Sequence, residues 1–194
     1  MARGPRAPGH GTTRIDQRMT GDTTIVAGIE IPSTSPIFLG AVGLHVLVGL
    51  VCVVTGVVAM LSAKRPGRHP RFGTIYYWCL AVVFVSATGL SVVRWSEDYH
   101  LFLLGALSFA AATLGREARR RRWRGWVPVH IAGLGCSYIL LLTAFYVDNG
   151  KSLPLWKDLP VLAYWLLPAA VGVPIIAHAL LRHPLARPSR RSQA

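Results

Sequence analysis

The sequence predicts an all-α integral membrane protein: a bundle of five transmembrane helices with the N-terminus outside and the C-terminus inside. Composition is the first observation, because 52% of the 194 residues are hydrophobic and 15% are charged, whereas soluble domains carry about 25% charged residues. The second is that charge is segregated, since no Asp, Glu, Lys or Arg occurs in 31–63 or 73–93. The third is that five apolar segments approach or exceed the length of about 20 residues that a spanning helix needs.

The chain divides into three predicted regions. Residues 1–35 are rich in Gly, Pro, Thr and Arg and lack the apolar core of a secretory signal, so we expect a disordered N-terminal tail. The helical bundle should occupy 36–182, and a basic C-terminal tail follows at 183–194. Its spans are predicted at about 36–63, 74–93, 99–115, 126–147 and 160–181.

Two spans have special features. The third has the shortest apolar run, and Tyr99 and His100 at one end, with Arg116 at the other, would extend it towards the two membrane surfaces. The fifth contains Pro168 and Pro174, which should bend it because proline removes a helical hydrogen bond.

The loops between spans alternate in charge, and this predicts the orientation. The first and third loops and the C-terminal segment from 182 onward hold four, six and four Lys or Arg residues. The second and fourth loops hold one and two. Positive loops stay in the cytoplasm, and the run Arg119–Arg122 should lie against anionic headgroups rather than nucleic acid. We expect a prokaryotic plasma membrane, because no organelle-targeting segment is evident.

Four histidines sort into two pairs by depth. His45 on the first span and His100 on the third lie towards the outer face, whereas His69 on the second and His130 on the fourth lie towards the inner face. Alternate helices of a bundle face each other diagonally. Two diagonal pairs could therefore hold two b-type haems, each iron taking two axial imidazoles, so the four histidines are candidate cofactor ligands. One pair alone could hold a single haem, or the histidines could be structural or handle protons without any cofactor.

Small residues accompany two of these histidines. Gly49 and Gly56 share a helix face with His45, and Gly133 and Ser137 share one with His130. A flat macrocycle beside a ligating histidine needs small neighbours. The same spacing also lets helices pack closely in lipid without any cofactor. The two faces could therefore contact either another helix or a cofactor.

The segment from His69 through Gly73 to Tyr76 resembles the His-Arg-x-x-Gly-x-x-Tyr signature of a family of predicted bacterial multi-pass membrane proteins of unknown function. Arginine stands at the second position after His69 rather than the first. The resemblance covers roughly 36–182 and implies an integral membrane protein with no assigned activity. The arrangement also resembles cytochrome b561-type bundles as an architecture.

A second polar cluster is predicted at the outer face, where it could bind a metal, relay protons or simply be solvated: Arg94, Glu97, Asp98 and Asp148. No motif of a soluble-type enzyme occurs. Three functions stay open: a b-type haem electron carrier using paired histidines, a small transporter or proton-coupled protein with His45 as a buried protonation site, and a scaffold subunit without chemistry of its own.

Overall fold

The fold is a bundle of five long helices, seen in a computed structural model that describes residues 24–26, 29–31, 36–93 and 95–183. The helices are α1 (Pro36–Leu61), α2 (Arg68–Val93), α3 (Trp95–Arg120), α4 (Trp126–Asn149) and α5 (Val161–Arg182). All five are long and apolar enough to cross a bilayer, which is compatible with a multi-pass membrane protein.

A short hairpin precedes the bundle. Strands β1 (Thr24–Val26) and β2 (Ile29–Ile31) pair in antiparallel register, with Ile25 opposite Glu30. They belong to a separate compact unit, Met1–Leu39. Composition alone did not indicate this hairpin. The rest of the predicted tail before α1, and the C-terminal tail after residue 183, lie outside the described residues.

Two helices extend well beyond the apolar runs that predicted them. α2 begins at Arg68 rather than near 74, which places His69 and Pro70 in its first turn. Proline is tolerated there because the first N–H groups of a helix have no intrahelical acceptor. α3 runs from Trp95 to Arg120 instead of 99–115. Both helices therefore extend beyond their apolar segments into neighbouring polar residues. α5 continues through both of its prolines.

The helices run up and down, so that their connections gather at two ends. One end, here called the basic end, holds the loops at 62–67 and 121–125 and the end of α5, and residues in or beside each of these segments line a common cavity. The close helix pairs are α2–α3, α3–α4 and α4–α5. α1 is held by side chains instead: the Cys52 thiol donates to the Tyr76 carbonyl over 3.6 Å, and the Tyr138 hydroxyl donates to the Val53 carbonyl over 3.2 Å.

The tightest contact is the crossing of α3 and α4 at two glycines. A Cβ atom added to Gly133 would lie 2.8 Å from the Ala111 carbonyl oxygen and 2.9 Å from the Gly115 Cα. A Cβ on Gly115 would in turn lie 3.2 Å from the His130 carbonyl oxygen. Backbone atoms cannot move aside as a flexible side chain can, so only glycine permits this approach, as in other close crossings of apolar helices.

The outward faces of the helices are apolar. Leu50 is 62% exposed, Val85 69% and Leu162 65%, and similar residues cover the other helices. A soluble protein rarely leaves so much contiguous apolar surface uncovered, whereas lipid tails would solvate it. The buried core is small by comparison and centres on Cys52, Tyr76 and Leu80.

Replacing Gly133 with alanine should destabilise the protein by about 1–3 kcal/mol, because the added methyl group overpacks the α3–α4 crossing. Gly89→Ala is the matched control, since a Cβ at Gly89 meets nothing within 4 Å. Thermal unfolding of both variants in the same detergent measures the effect. Equal midpoints for Gly133→Ala and Gly89→Ala would contradict the crossing.

Candidate functional site

Two of the four predicted histidines meet at the basic end. The rings of His69 and His130 have centroids 6.3 Å apart and planes inclined by 84°. His69 lies in the first turn of α2, and His130 is the fifth residue of α4. Residues 61 positions apart in the chain are thus brought to one height in the bundle, where sequence depth placed them both.

Each of these imidazoles is held by a backbone carbonyl. His69 Nδ1 lies 2.8 Å from the Ala59 oxygen, and His130 Nδ1 lies 3.0 Å from the Gly115 oxygen. A carbonyl oxygen only accepts, so Nδ1 carries the proton and donates in both rings. In the neutral rings Nε2 then keeps its lone pair. This is how metal-binding histidines are oriented, with one nitrogen donating to a carbonyl and the other facing the metal.

The two carbonyls are accessible for different reasons. Ala59 lies in the last turn of α1, where carbonyl groups have no intrahelical donor. Gly115 lies inside α3, and its carbonyl is reached because no side chain separates α3 from α4 at this crossing. The glycine pair Gly115 and Gly133 therefore sets the height of His130.

The histidine pair opens on a cavity of about 850 Å³ at the basic end. This volume lies within the range of about 300–1,000 Å³ that is typical of small-molecule sites. The walls come from all five helices and include four aromatic side chains: Tyr76, Tyr77, Trp126 and Tyr138. A large, flat and mainly apolar ligand would be in contact with these rings.

The rim of the cavity is cationic. Among the described residues, its lining includes five Lys or Arg side chains and no Asp or Glu: Lys64, Arg65, Arg116, Arg119 and Arg182. Arg116 is engaged in packing, since its guanidinium lies 4.2 Å from the centroid of the Tyr77 ring. Positive charge without a carboxylate partner favours an anionic ligand, so the cavity suits an amphipathic molecule with an apolar body and acidic groups.

Gly73 provides further space next to the histidine pair. It lies one helical turn after His69 and lines the cavity. A Cβ atom at this position would meet nothing within 4 Å. A larger side chain would therefore occupy the cavity rather than disturb the packing of the helices.

The outer pair, His45 and His100, is arranged differently. His45 Nδ1 lies 2.8 Å from the Ser86 hydroxyl oxygen, whose own proton is directed to the carbonyls of α2. His100 packs against Trp165 of α5, with centroids 6.1 Å apart. Both rings are within electrostatic reach of Asp148, but no ring contact joins His45 to His100 in the described part of the chain.

The predicted outer polar cluster is described only in part. Arg94 and the side chain of Glu97 lie outside the described residues. Asp98 is within electrostatic reach of Asp148, and an Asp148 oxygen accepts from the Asn149 amide over 3.0 Å. Among the residues that the structure describes, no three His, Cys, Asp or Glu side chains are arranged to hold a metal ion.

The small residues singled out on α1 and α4 have distinct surroundings. A Cβ at Gly56 would lie 2.5 Å from the Tyr138 ring, and Gly133 lies at the α3–α4 crossing. Ser137 is fully buried, and its hydroxyl lies 2.7 Å from that of Tyr76. Gly49 has nothing within 4 Å of an added Cβ. Three of the four positions therefore serve helix packing in this structure.

Sequence reasoning missed the partners of Ser137. The Ser108 hydroxyl of α3 donates to the Ser137 carbonyl over 2.8 Å, so α2, α3 and α4 share one buried hydroxyl cluster. The cluster ends on a helix carbonyl, and it joins helices rather than leading protons across the bundle. Its only signal in the sequence was that Ser108 shares one face of the third span, here called its small-residue face, with Gly105, Ala112 and Gly115.

No protein-family model, no curated protein and no solved structure matches this chain. The family resemblance carried by the segment from His69 to Tyr76 therefore stays a prediction, as does the architectural likeness to cytochrome b561-type bundles.

Proposed function

We propose that this chain is a multi-pass protein of a prokaryotic plasma membrane that carries electrons through a b-type haem held by His69 and His130. The observation that carries the proposal is the geometry of this pair. Two imidazoles on different helices lie 6.3 Å apart by ring centroid, each with Nδ1 bound to a carbonyl. The Nε2 atoms are the nitrogens left to bind a metal.

The separation agrees with ligation of one metal by both rings. A metal–imidazole bond of about 2 Å, added to the distance of about 1 Å from a nitrogen to its ring centre, places two axial rings with centres about 6 Å apart. Both ring planes contain the metal–nitrogen axis in such a site. They can differ by any rotation about that axis, so an inclination of 84° is compatible with it.

The surroundings of the pair suit this cofactor. Haem b is a flat apolar macrocycle with two carboxylates, and the cavity combines aromatic walls with a cationic rim. Space next to His69 is available because Gly73 has no side chain. Of the residues that line the cavity, none carries a negative charge that would repel the carboxylates.

The chain's own residues would orient and tune the site. The carbonyls of Ala59 and Gly115 fix the rotation of the two rings, and their hydrogen bonds increase the electron density at Nε2. Haem bound in this way supplies a one-electron couple. Because histidines would take both axial positions, no position is left for oxygen or a substrate, which favours electron transfer over oxygen chemistry.

The proposed orientation places the N-terminus outside and the basic end in the cytoplasm, in accordance with the excess of Lys and Arg in the loops at that end. The site would then lie in the cytoplasmic leaflet. The run Arg119–Arg122 would contact anionic headgroups there, although Arg120 and Arg121 also pair with Glu117.

Replacing His69 or His130 with alanine should abolish the Soret band of protein purified after haem-replete expression, because each variant lacks one axial ligand. His178→Ala is the control, since His178 is exposed on α5. His45→Ala should also retain the band, and wild type should bind one haem per chain. Wild type without a Soret band, or His69→Ala and His130→Ala with unchanged spectra, would overturn the proposal.

Filling the cavity should prevent haem binding without touching a ligand. Gly73→Leu projects a side chain into the cavity and should lower haem occupancy by at least about 10-fold, as expected when a buried group has no room. Gly89→Leu is the matched control. Gly89 is also a glycine of α2, and nothing lies within 4 Å of a Cβ atom added there, but it does not line the cavity. Haem content per protein, measured after identical expression, separates the two; equal content would show that the cavity is not the binding site.

A further inference from the structure

We propose that Lys64 and Arg119 bind the carboxylates of the ligand held between His69 and His130, and that they thereby strengthen its binding and raise its reduction potential. This inference rests on the proposed function, because it names the residues that would recognise the acidic groups of a haem. It goes beyond that function because it assigns carboxylate binding to two of the five cations at the rim and not to the other three.

These two cations are distinguished by their position relative to the histidine pair. Lys64 comes from the α1–α2 loop and Arg119 from the last turn of α3. Lys64 donates to the same Ala59 carbonyl as His69, and Arg119 lies one helical turn after Gly115, whose carbonyl accepts from His130. A ligand centred between the two rings would therefore have one of these cations on the side of the α1–α2 loop and the other at the end of α3.

The Lys64 ammonium is held in place but lacks an anion. It donates to the carbonyls of Ala59 and Met60 over 3.3 and 2.6 Å, which leaves one of its three N–H groups for a ligand. Burial lowers the pKa of Lys64 below its ordinary value, because the ammonium loses water. A carboxylate at this position would favour the charged form and reverse that direction. Lys64 also shares the Ala59 carbonyl with His69, so it lies next to the ligating ring.

Arg119 differs from its neighbours in the same run. Arg120 and Arg121 lie 3.4 and 2.9 Å from the carboxylate of Glu117, so both are already directed to an anion, which they share. Arg119 forms no ion pair in the described part of the chain, and it lines the cavity. Its guanidinium offers the planar donor geometry that binds a carboxylate through two hydrogen bonds.

Positive charge near a haem has a predictable effect on its reduction. Reduction adds one negative charge at the iron, and a nearby cation stabilises that charge. Replacing Lys64 or Arg119 by a neutral residue should therefore shift the midpoint potential to lower values. Lys64→Arg keeps the positive charge and should therefore leave the midpoint potential close to that of wild type.

The test compares haem b with its dimethyl ester, which has the same macrocycle and iron but no carboxylate charge. Each is titrated into the full-length apoprotein in a neutral detergent that excludes anionic lipid. Wild type should bind haem b at least about 10-fold more tightly than the ester. Lys64→Gln and Arg119→Gln should each reduce that preference about five-fold, since a cation near the membrane surface contributes about that factor.

Two control variants make the result specific. Arg121→Gln removes the same charge from a residue paired with Glu117 and should keep both the preference and the midpoint potential. Lys64→Arg keeps the charge and should retain most of the preference, which distinguishes loss of charge from loss of the cap at the end of α1.

The outcomes separate this inference from the proposed function. If wild type binds haem b and the ester equally, or if Arg121→Gln acts like Arg119→Gln, the two cations do not recognise the carboxylates, although the haem site stands. If neither compound binds, the proposed function itself fails. A preference for haem b that both Gln variants retain would assign recognition to the other rim cations and overturn the inference.

Discussion

Two hydrogen bonds from imidazole to backbone fix the geometry of the histidine pair at the basic end. They join His69 to the Ala59 carbonyl and His130 to the Gly115 carbonyl. Each connects a histidine at the start of one helix with the end region of the preceding helix. The loops α1–α2 and α3–α4 thereby become two similar units that face each other across the basic end. The 6.3 Å separation of the two rings follows from this arrangement, and Nε2 takes no part in either hydrogen bond.

The rest of the bundle obeys the rule that lipid imposes on polar groups. In the described residues, no buried side-chain nitrogen or oxygen lacks a hydrogen-bond partner. Thr55, Thr113 and Thr143 donate to carbonyls one turn earlier on their own helices, and Tyr76 and Ser137 satisfy each other. The basic end differs from this pattern. Its cavity-lining cations have no carboxylate partner among the described residues, and Nε2 of His69 and of His130 takes no part in the hydrogen bonds that orient the two rings. Polar groups without a protein partner thus lie at the cavity, whereas the buried polar side chains elsewhere in the described bundle are hydrogen-bonded.

Much of this could be predicted from the sequence, because membrane depth is a property of one helix at a time. Charge segregation indicates five helices, and counting residues from the basic loops brings His69 and His130 to one height. Depth alone was insufficient for His45 and His100. Rotation about the helix axis also matters, and His100 faces Trp165 on α5 rather than His45. In the sequence, His100 already lies about 140° around the helix from the small-residue face of the third span, counted from Gly105.

The features that the sequence could not provide depend on distances between helices. The Gly115 carbonyl becomes an acceptor for His130 only because Gly115 and Gly133 let two backbones approach within van der Waals contact. The cavity results from the joint position of all five helices. The basic loops were interpreted as orientation signals. The same residues also form a cationic rim, and nothing in their spacing separates Lys64 and Arg119 from the remaining cations.

The axial ligation of the haem-loaded protein tests the central claim most directly. Electron paramagnetic resonance of the oxidised, full-length protein reports the spin state of ferric iron, which its axial ligands set. Two histidine ligands predict a low-spin signal from one iron per chain, unchanged by added cyanide or azide because both axial positions are taken. A high-spin signal, or one that shifts when these anions are added, would show an open position and contradict ligation by the His69–His130 pair.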